Sequence, residues 1–423
     1  MAHRLISILV LLLGVAAMGL SGIAQQSATE APAGFDTPTL AGSKSKNNGL
    51  IEPSGDTYAR DQQNYEQVHD VSTGLGPVYN GRACVECHQN PVSGGASQFT
   101  ELRVGHHDAD GNFVNPTVLI NDGAASITGR SIINDRAILP EAQEHVPATE
   151  NIRALRAALN TLGDGFVEAI DDNTLKAIAQ NQRDLTDGRI AGEAIEVPVL
   201  EAPGQNRVGR FGWKDQHSSL LSFIGDAYLN EMGVTNRLRP KDTTTIGKTT
   251  PDPEDVPDEL GLADIDHFAQ FVRGTKVPPR DGVLAATADA AAGQAIFEKI
   301  QCNACHVETI TTAPAGTVIN GGTFAVPDAL GNKIIHPFSD FLLHDIETGD
   351  GIVQAGPLDT ANKLRTAALW GLRTRPRYMH DLKSLTLDDA IARHQGEAEE
   401  VERRFDQLSP KEKQQLRTFL NSL

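Results

Sequence analysis

Apolar residues recur with a helical period in a few separated stretches and are scattered elsewhere. Across residues 217–230, Leu220, Leu221, Phe223, Ile224, Ala227 and Tyr228 share one face of a 3.6-residue repeat. Residues 265–272 repeat that pattern and stop near Gly274 and Pro278-Pro279, where a helix is expected to end. Residues 290–300 form a further helical stretch, and near the end Leu416, Phe419, Leu420 and Leu423 follow i, i+3, i+4, i+7 spacing. This last helix carries its own start signal, Ser409-Pro410-Lys411-Glu412. The serine hydroxyl caps free amides, proline needs no donor at the first helical position, and glutamate reaches back to the cap. Residues 152–158 and 175–178 are shorter helical candidates, and the alternation expected of strands is sparse. The pattern predicts a mostly α fold with long loops.

The polar stretches divide the chain. Residues 1–24 have the order of an export signal: His3 and Arg4, an apolar run from Leu5 to Leu20, then small residues ending at Ala24. An uncleaved anchor is the competing reading, but the run is short for a membrane span. The mature chain is expected to begin at Gln25, to be periplasmic and to have no membrane span. Residues 25–60, rich in Ala, Ser, Thr, Gly, Pro and Asn, read as a flexible leader. Residues 240–262 are a Pro- and Asp-rich connector. A length of 423 residues is ample for two domains. The formal charge of −18 argues against nucleic acid and anionic membrane surfaces as partners.

All four cysteines fall in two pentapeptides, Cys84-Val85-Glu86-Cys87-His88 and Cys302-Asn303-Ala304-Cys305-His306. Each has the form of a c-type haem attachment site. Thiols three positions apart each form a thioether to one haem vinyl group, and the next residue, histidine, binds iron. A zinc site built from two Cys pairs, or dithiol redox chemistry, leaves the histidine after both pairs unexplained. Two covalent haem c groups are therefore expected, with His88 and His306 as proximal ligands. Export fits this, because covalent haem attachment takes place outside the bacterial cytoplasm. Residues 61–284 read as an N-terminal haem c domain with insertions. Residues 285–423 read as a C-terminal cytochrome c-like domain, whose first and last helices are expected to pack together.

Several separated strings extend the picture: Gly76-Pro77-Val78-Tyr79-Asn80, Arg210-Phe211-Gly212-Trp213-Lys214, Asn230-Glu231-Met232-Gly233, His336-Pro337-Phe338-Ser339-Asp340, Leu343-His344-Asp345, Leu369-Trp370-Gly371-Leu372-Arg373 and Tyr378-Met379-His380-Asp381. In these the chain resembles, over about residues 70–423, the peroxidase-type di-haem oxidoreductases, relatives of bacterial di-haem cytochrome c peroxidases. The resemblance implies that Trp213 lies between the two haems as an electron path; a buried core indole is the alternative. It also implies that Glu231 stands over the first haem as acid–base, taking a proton from hydrogen peroxide and returning it to the departing oxygen. A helix-end acid in a salt bridge is the alternative for Glu231.

The distal ligands stay open. Beyond the export segment the methionines are Met232 and Met379. Met379 and His380 are candidates at the second haem, with core packing as the alternative for Met379. His106 and His107 are candidates at the first haem, and solvated loop residues otherwise. His336, His344, Asp345 and the arginines Arg373, Arg375 and Arg377 read as second-haem loop residues, the arginines pairing with propionates. The relatives also imply calcium between the haem domains, with no ligands assignable here. The expected function is reduction of hydrogen peroxide or another small oxidant. Electrons from a small donor protein, a cytochrome c or a cupredoxin, would enter at the C-terminal haem and pass to the N-terminal one. A non-catalytic electron carrier and an oxygenase-type di-haem enzyme are the alternatives.

Overall fold

The computed structural model describes residues 27–35, 46–121, 125–248 and 250–423. The expected export segment lies outside them. The helices are α1 (Tyr58–Glu66), α2 (Cys84–Cys87), α3 (Asp164–Glu168), α4 (Asp172–Thr186), α5 (Leu220–Met232), α6 (Asp264–Gly274), α7 (Gly282–Ala285), α8 (Ala288–Lys299), α9 (Leu387–Ala392), α10 (Glu399–Asp406) and α11 (Pro410–Leu420). The structure is 31% helix and 16% strand, the strands falling in several small sheets. This corrects the expectation of a mostly α fold made of two cytochrome c-like domains. Most strands here are two to four residues long, too short to print an alternating pattern on the sequence.

The largest sheet shows how the reading went astray. Strand Thr100–His107 pairs antiparallel with Ile152–Ala157, in the register Leu102↔Leu155. It also pairs with Ile132–Ile133 and Phe113–Val114. The stretch at 152–158, expected to be helical, is thus mostly a strand. Its apolar Ile152 and Leu155 stand three apart, which mimics a helical face, whereas the partner strand decides its state. Part of the expected flexible leader is also structured. Thr29–Glu30 lies parallel to Lys333–Ile335, which pairs on its other side with Ile310–Thr311. α1 then starts on a Thr57 cap, whose side chain accepts from the Arg60 amide.

The main core gathers α1, α3, α5 and α6 through Tyr65, Phe166, Tyr228, Phe268 and Phe271, and takes in Phe341 and Trp370 from later in the chain. A second core joins α8 to α11 through Phe297, Leu416, Phe419 and Leu420, with Phe338 and Phe405 against them. Burying each such side chain contributes about 2 kcal/mol of transfer free energy. α8 and α11 cross closely: a Cβ on Gly293 would lie 2.0 Å from the Gln415 carbonyl oxygen. The capping box of α11 is formed, with the Ser409 amide donating to the Glu412 carboxylate at 2.9 Å. Among the described residues no helix is long and apolar enough to cross a membrane.

Candidate functional site

Two cavities contain the two pentapeptides, and each is built to hold a flat, largely apolar group on two thiols and an imidazole. The first is lined by Cys84, Cys87 and His88 together with Tyr65, Glu231 and Phe268. It encloses about 850 Å³ of atom-free space, its open mouth included. The single turn of α2 brings the thiols together, and the His88 amide closes it on the Cys84 carbonyl at 2.9 Å. The His88 Nδ1 donates to the Leu159 carbonyl at 2.8 Å. That bond fixes the tautomer and leaves Nε2 as the lone-pair nitrogen, the arrangement typical of a metal-ligating histidine. Burial lowers the His88 pKa, keeping the ring neutral as a ligand must be.

The second cavity is larger, about 1360 Å³ on the same measure, and its walls include Cys302, Cys305, His306, Leu369, Ile391 and Leu416. The His306 Nδ1 donates to the Phe338 carbonyl at 2.9 Å, so its Nε2 is also free to bind. Burial, aided by the neighbouring His394, lowers the His306 pKa to about 4. The four cysteines are free thiols, and burial pushes the Cys302 thiol up to about 12. Unbridged, protonated thiols beside an anchored imidazole fit haem attachment at both places.

What faces each imidazole differs. In the first cavity Glu231, at the end of α5, hydrogen-bonds to Glu101 on strand Thr100–His107. Burial raises the Glu231 pKa well above the ordinary carboxyl range, and the negative charge of Glu101 raises it further. Burial works against the charge on Glu101 too. There it is outweighed by Arg103, which donates to Glu101 at 2.8 Å, and by the bond with Glu231, so the Glu101 pKa is lowered. The two shifts run in opposite directions, up on Glu231 and down on Glu101. Opposed shifts on neighbouring acids are how one site keeps a donor and an acceptor at the same pH.

In the second cavity the ring of His394 stands 6.4 Å, centroid to centroid, from that of His306, with 49° between the planes. Met379 and His380 line the same cavity. His380 is buried with its Nδ1 unpartnered, and its ring packs edge-on against Trp213 at 5.9 Å.

Trp213 forms part of the second cavity's wall and of a third, outer pocket that Phe99 shares with the first cavity. The indole N–H donates to the Ala157 carbonyl at 2.8 Å. Two residues on, the Leu159 carbonyl holds His88. One short backbone segment thus connects the tryptophan to the first imidazole. Beside it the ammonium of Lys214 is buried among the carbonyls of Thr360 (3.1 Å), Ala361 (2.7 Å) and Lys363 (2.7 Å), with the Asp350 carboxylate at 3.3 Å. The lysine's own charge fills this cage of oxygens.

The remaining candidates have other partners. The His106 Nδ1 pairs with Glu150 at 2.7 Å, and His107 is exposed. His344 bridges Asp340 and Glu397 at 2.8 Å each, and the Asp345 amide donates to Glu397. His336 is exposed and bonds to Thr309 and Glu30. Arg375 reaches both the outer pocket and the second cavity, where burial lowers its pKa to about 10. Glu101 and His394 were not singled out by the sequence reading. Once 100–107 is known to be a strand, Glu101 and Arg103 share a face at i, i+2 and an ion pair follows.

The chain belongs to the family described as "Di-haem oxidoreductase, putative peroxidase", which matches residues 149–423. The match includes the second pentapeptide and starts beyond the first. Haem is the cofactor this family implies, and the protein is a di-haem redox protein by that membership. No curated protein matches the chain. Similar solved structures include a Kuenenia stuttgartiensis hydrazine synthase, 14% identical with a TM-score of 0.39 and all of both chains covered. Another is a MauG-like protein associated with microbial copper homeostasis, 19% identical with a TM-score of 0.24, covering 39% of this chain and 57% of that one. Likenesses this distant carry no functional argument.

Proposed function

We propose that the protein is an exported, periplasmic di-haem c oxidoreductase that reduces hydrogen peroxide. Electrons would come from a small donor protein and enter at the second site. The observation that carries the reading is the Glu231–Glu101 pair, hydrogen-bonded to each other in the wall of the first cavity beside the Arg103 guanidinium. When bound, haem supplies electrons and, at the first site, an open position for a small oxidant. The chain supplies the rest. Cys84 and Cys87 would hold the group by thioether bonds, His88 and His306 would ligate it, and Trp213 would carry electrons from the second site toward the first. Reduction of peroxide to two waters takes two electrons and two protons; the proton that Glu231 gives and the one that Glu101 takes cancel, so both net protons enter from solvent. Glu231 would deliver a proton to the departing oxygen, and Glu101, kept ionised by Arg103, would accept the proton released from the incoming peroxide. Tyr65 and Phe268 wall the site with aromatic surface.

The test is peroxide-dependent oxidation of a reduced small cytochrome by the haem-loaded protein. Glu231→Gln keeps shape and removes the acid, so turnover should fall roughly 10²- to 10⁴-fold. Undiminished turnover in that variant would remove the carboxyl pair from the chemistry. A wild-type protein without turnover and with both irons low-spin would favour an electron carrier.

A further inference from the structure

The geometry points to His394 as the sixth ligand of the second haem, opposite His306, making that iron a bis-imidazole centre closed on both faces. The inference rests on the di-haem reading above. It begins from two rings that share a cavity with Cys302 and Cys305 and lie 6.4 Å apart, centroid to centroid. Metal–imidazole bonds of about 2 Å, to nitrogens lying about 1 Å out from their ring centres, span about 6 Å between centroids. The observed separation is that span.

Tautomers agree with it. The His394 Nδ1 lies 2.8 Å from the Ala390 carbonyl, and the His306 Nδ1 lies 2.9 Å from the Phe338 carbonyl. A carbonyl only accepts, so both Nδ1 atoms carry the hydrogen and both Nε2 atoms keep the lone pair. An outer N–H anchored to a backbone oxygen is the usual support of a metal-ligating histidine. The position of His394 is also built in. α9 starts on a Thr386 capping box with Asp389, and the histidine follows its last turn, tied back to that turn by the Ala390 bond.

The other candidates in this cavity are placed differently. Met379 has a left-handed backbone (φ 67°) and also lines the outer pocket. His380 packs its ring on Trp213, and its Nδ1 lacks the backbone anchor that His306 and His394 have. A bis-imidazole iron has a lower potential than a His/Met one. The second site would then store and pass electrons without meeting the oxidant, and its donor must be correspondingly reducing.

The experiment uses full-length, haem-loaded protein. A pyridine haemochrome count should give two haems per chain; fewer would overturn the di-haem reading and this inference with it. With two present, ferric EPR should show a low-spin bis-imidazole signal, and the absorbance should lack a methionine–iron charge-transfer band. In His394→Gly the low-spin signal should become high-spin, cyanide should bind two haems per chain instead of one, and added imidazole should restore the original spectrum. His394→Met should stay six-coordinate at a raised potential. Met379→Leu and His380→Ala should leave the low-spin signal in place. Persistence of that signal in His394→Gly with both haems attached, its loss in Met379→Leu or His380→Ala, or an unmoved potential in His394→Met would each sink the assignment.

Discussion

The two cavities are alike on one side and unlike on the other. Each presents two thiols and a histidine whose Nδ1 is tied to a backbone carbonyl, that of Leu159 in one and Phe338 in the other. The first imidazole shares its cavity with two hydrogen-bonded carboxyls, Glu231 and Glu101, whose pKa values are shifted in opposite directions. The second shares its cavity with another imidazole, that of His394, 6.4 Å away between ring centroids. The shared pentapeptide therefore says little about how each site is used. The groups on the far face decide whether a centre exchanges atoms or only electrons.

That contrast breaks most severely at the charge on Glu101. Glu101→Gln removes the negative neighbour that keeps the proton on Glu231 and leaves the buried Arg103 unpaired. Peroxide turnover should drop roughly 10²- to 10⁴-fold, as in Glu231→Gln, and combining the two should cost little more than either alone, because the two act as a unit. Losses that multiply in the double variant would show two independent roles.

A smaller effect separates the regions by pH. His267 on α6 is bound to Asp61 of α1 at 2.7 Å and to Asp258 at 3.1 Å, with Asp56 at 3.5 Å. Burial alone would lower its pKa, but the three acids outweigh this and raise it from 6.5 to about 9. Its contribution to stability is complete below pH 6.5 and lost as pH rises through 9, a loss of about 1–3 kcal/mol. Denaturant midpoints should fall over that window for the region holding α1 and α6. The α8–α11 core, packed from aromatic and aliphatic side chains, should hold steady.

Next in size is Trp213→Phe, which keeps an aromatic ring and removes the bond to the Ala157 carbonyl. Electron passage between the sites, followed by stopped-flow absorbance, should slow roughly tenfold, the worth of about one hydrogen bond. An unchanged rate would place the path elsewhere. Smallest is Ser409→Ala, which removes the cap of α11 and should cost the second region about 1 kcal/mol at any pH, measured by chemical denaturation.

Much of the second region was legible because its signals are local. The Ser409–Glu412 box, the apolar stripe of α11 and the lead-in helix before Cys302 are each written within a dozen residues. The first region depends on contacts between distant segments. Residues 152–157 are a strand only because residues 100–107 lie beside them, and Glu101 meets Glu231 only once that strand and the end of α5 share a cavity. The pentapeptides announced both sites. The far faces were hidden, since neither Glu101 nor His394 belongs to a motif that local pattern can mark, and the mostly α expectation failed on strands of two to four residues.

Lys214 gives the joint beside Trp213 a property that a bound ion could not. A free cation leaves its cage when diluted or chelated, by simple mass action. An ammonium on a side chain has a fixed local concentration, so the carbonyls of Thr360, Ala361 and Lys363 stay drawn together in surroundings stripped of divalent metal. Burial brings its pKa down to about 8. The charge that holds these three carbonyls is thus the most alkali-sensitive part of the contact.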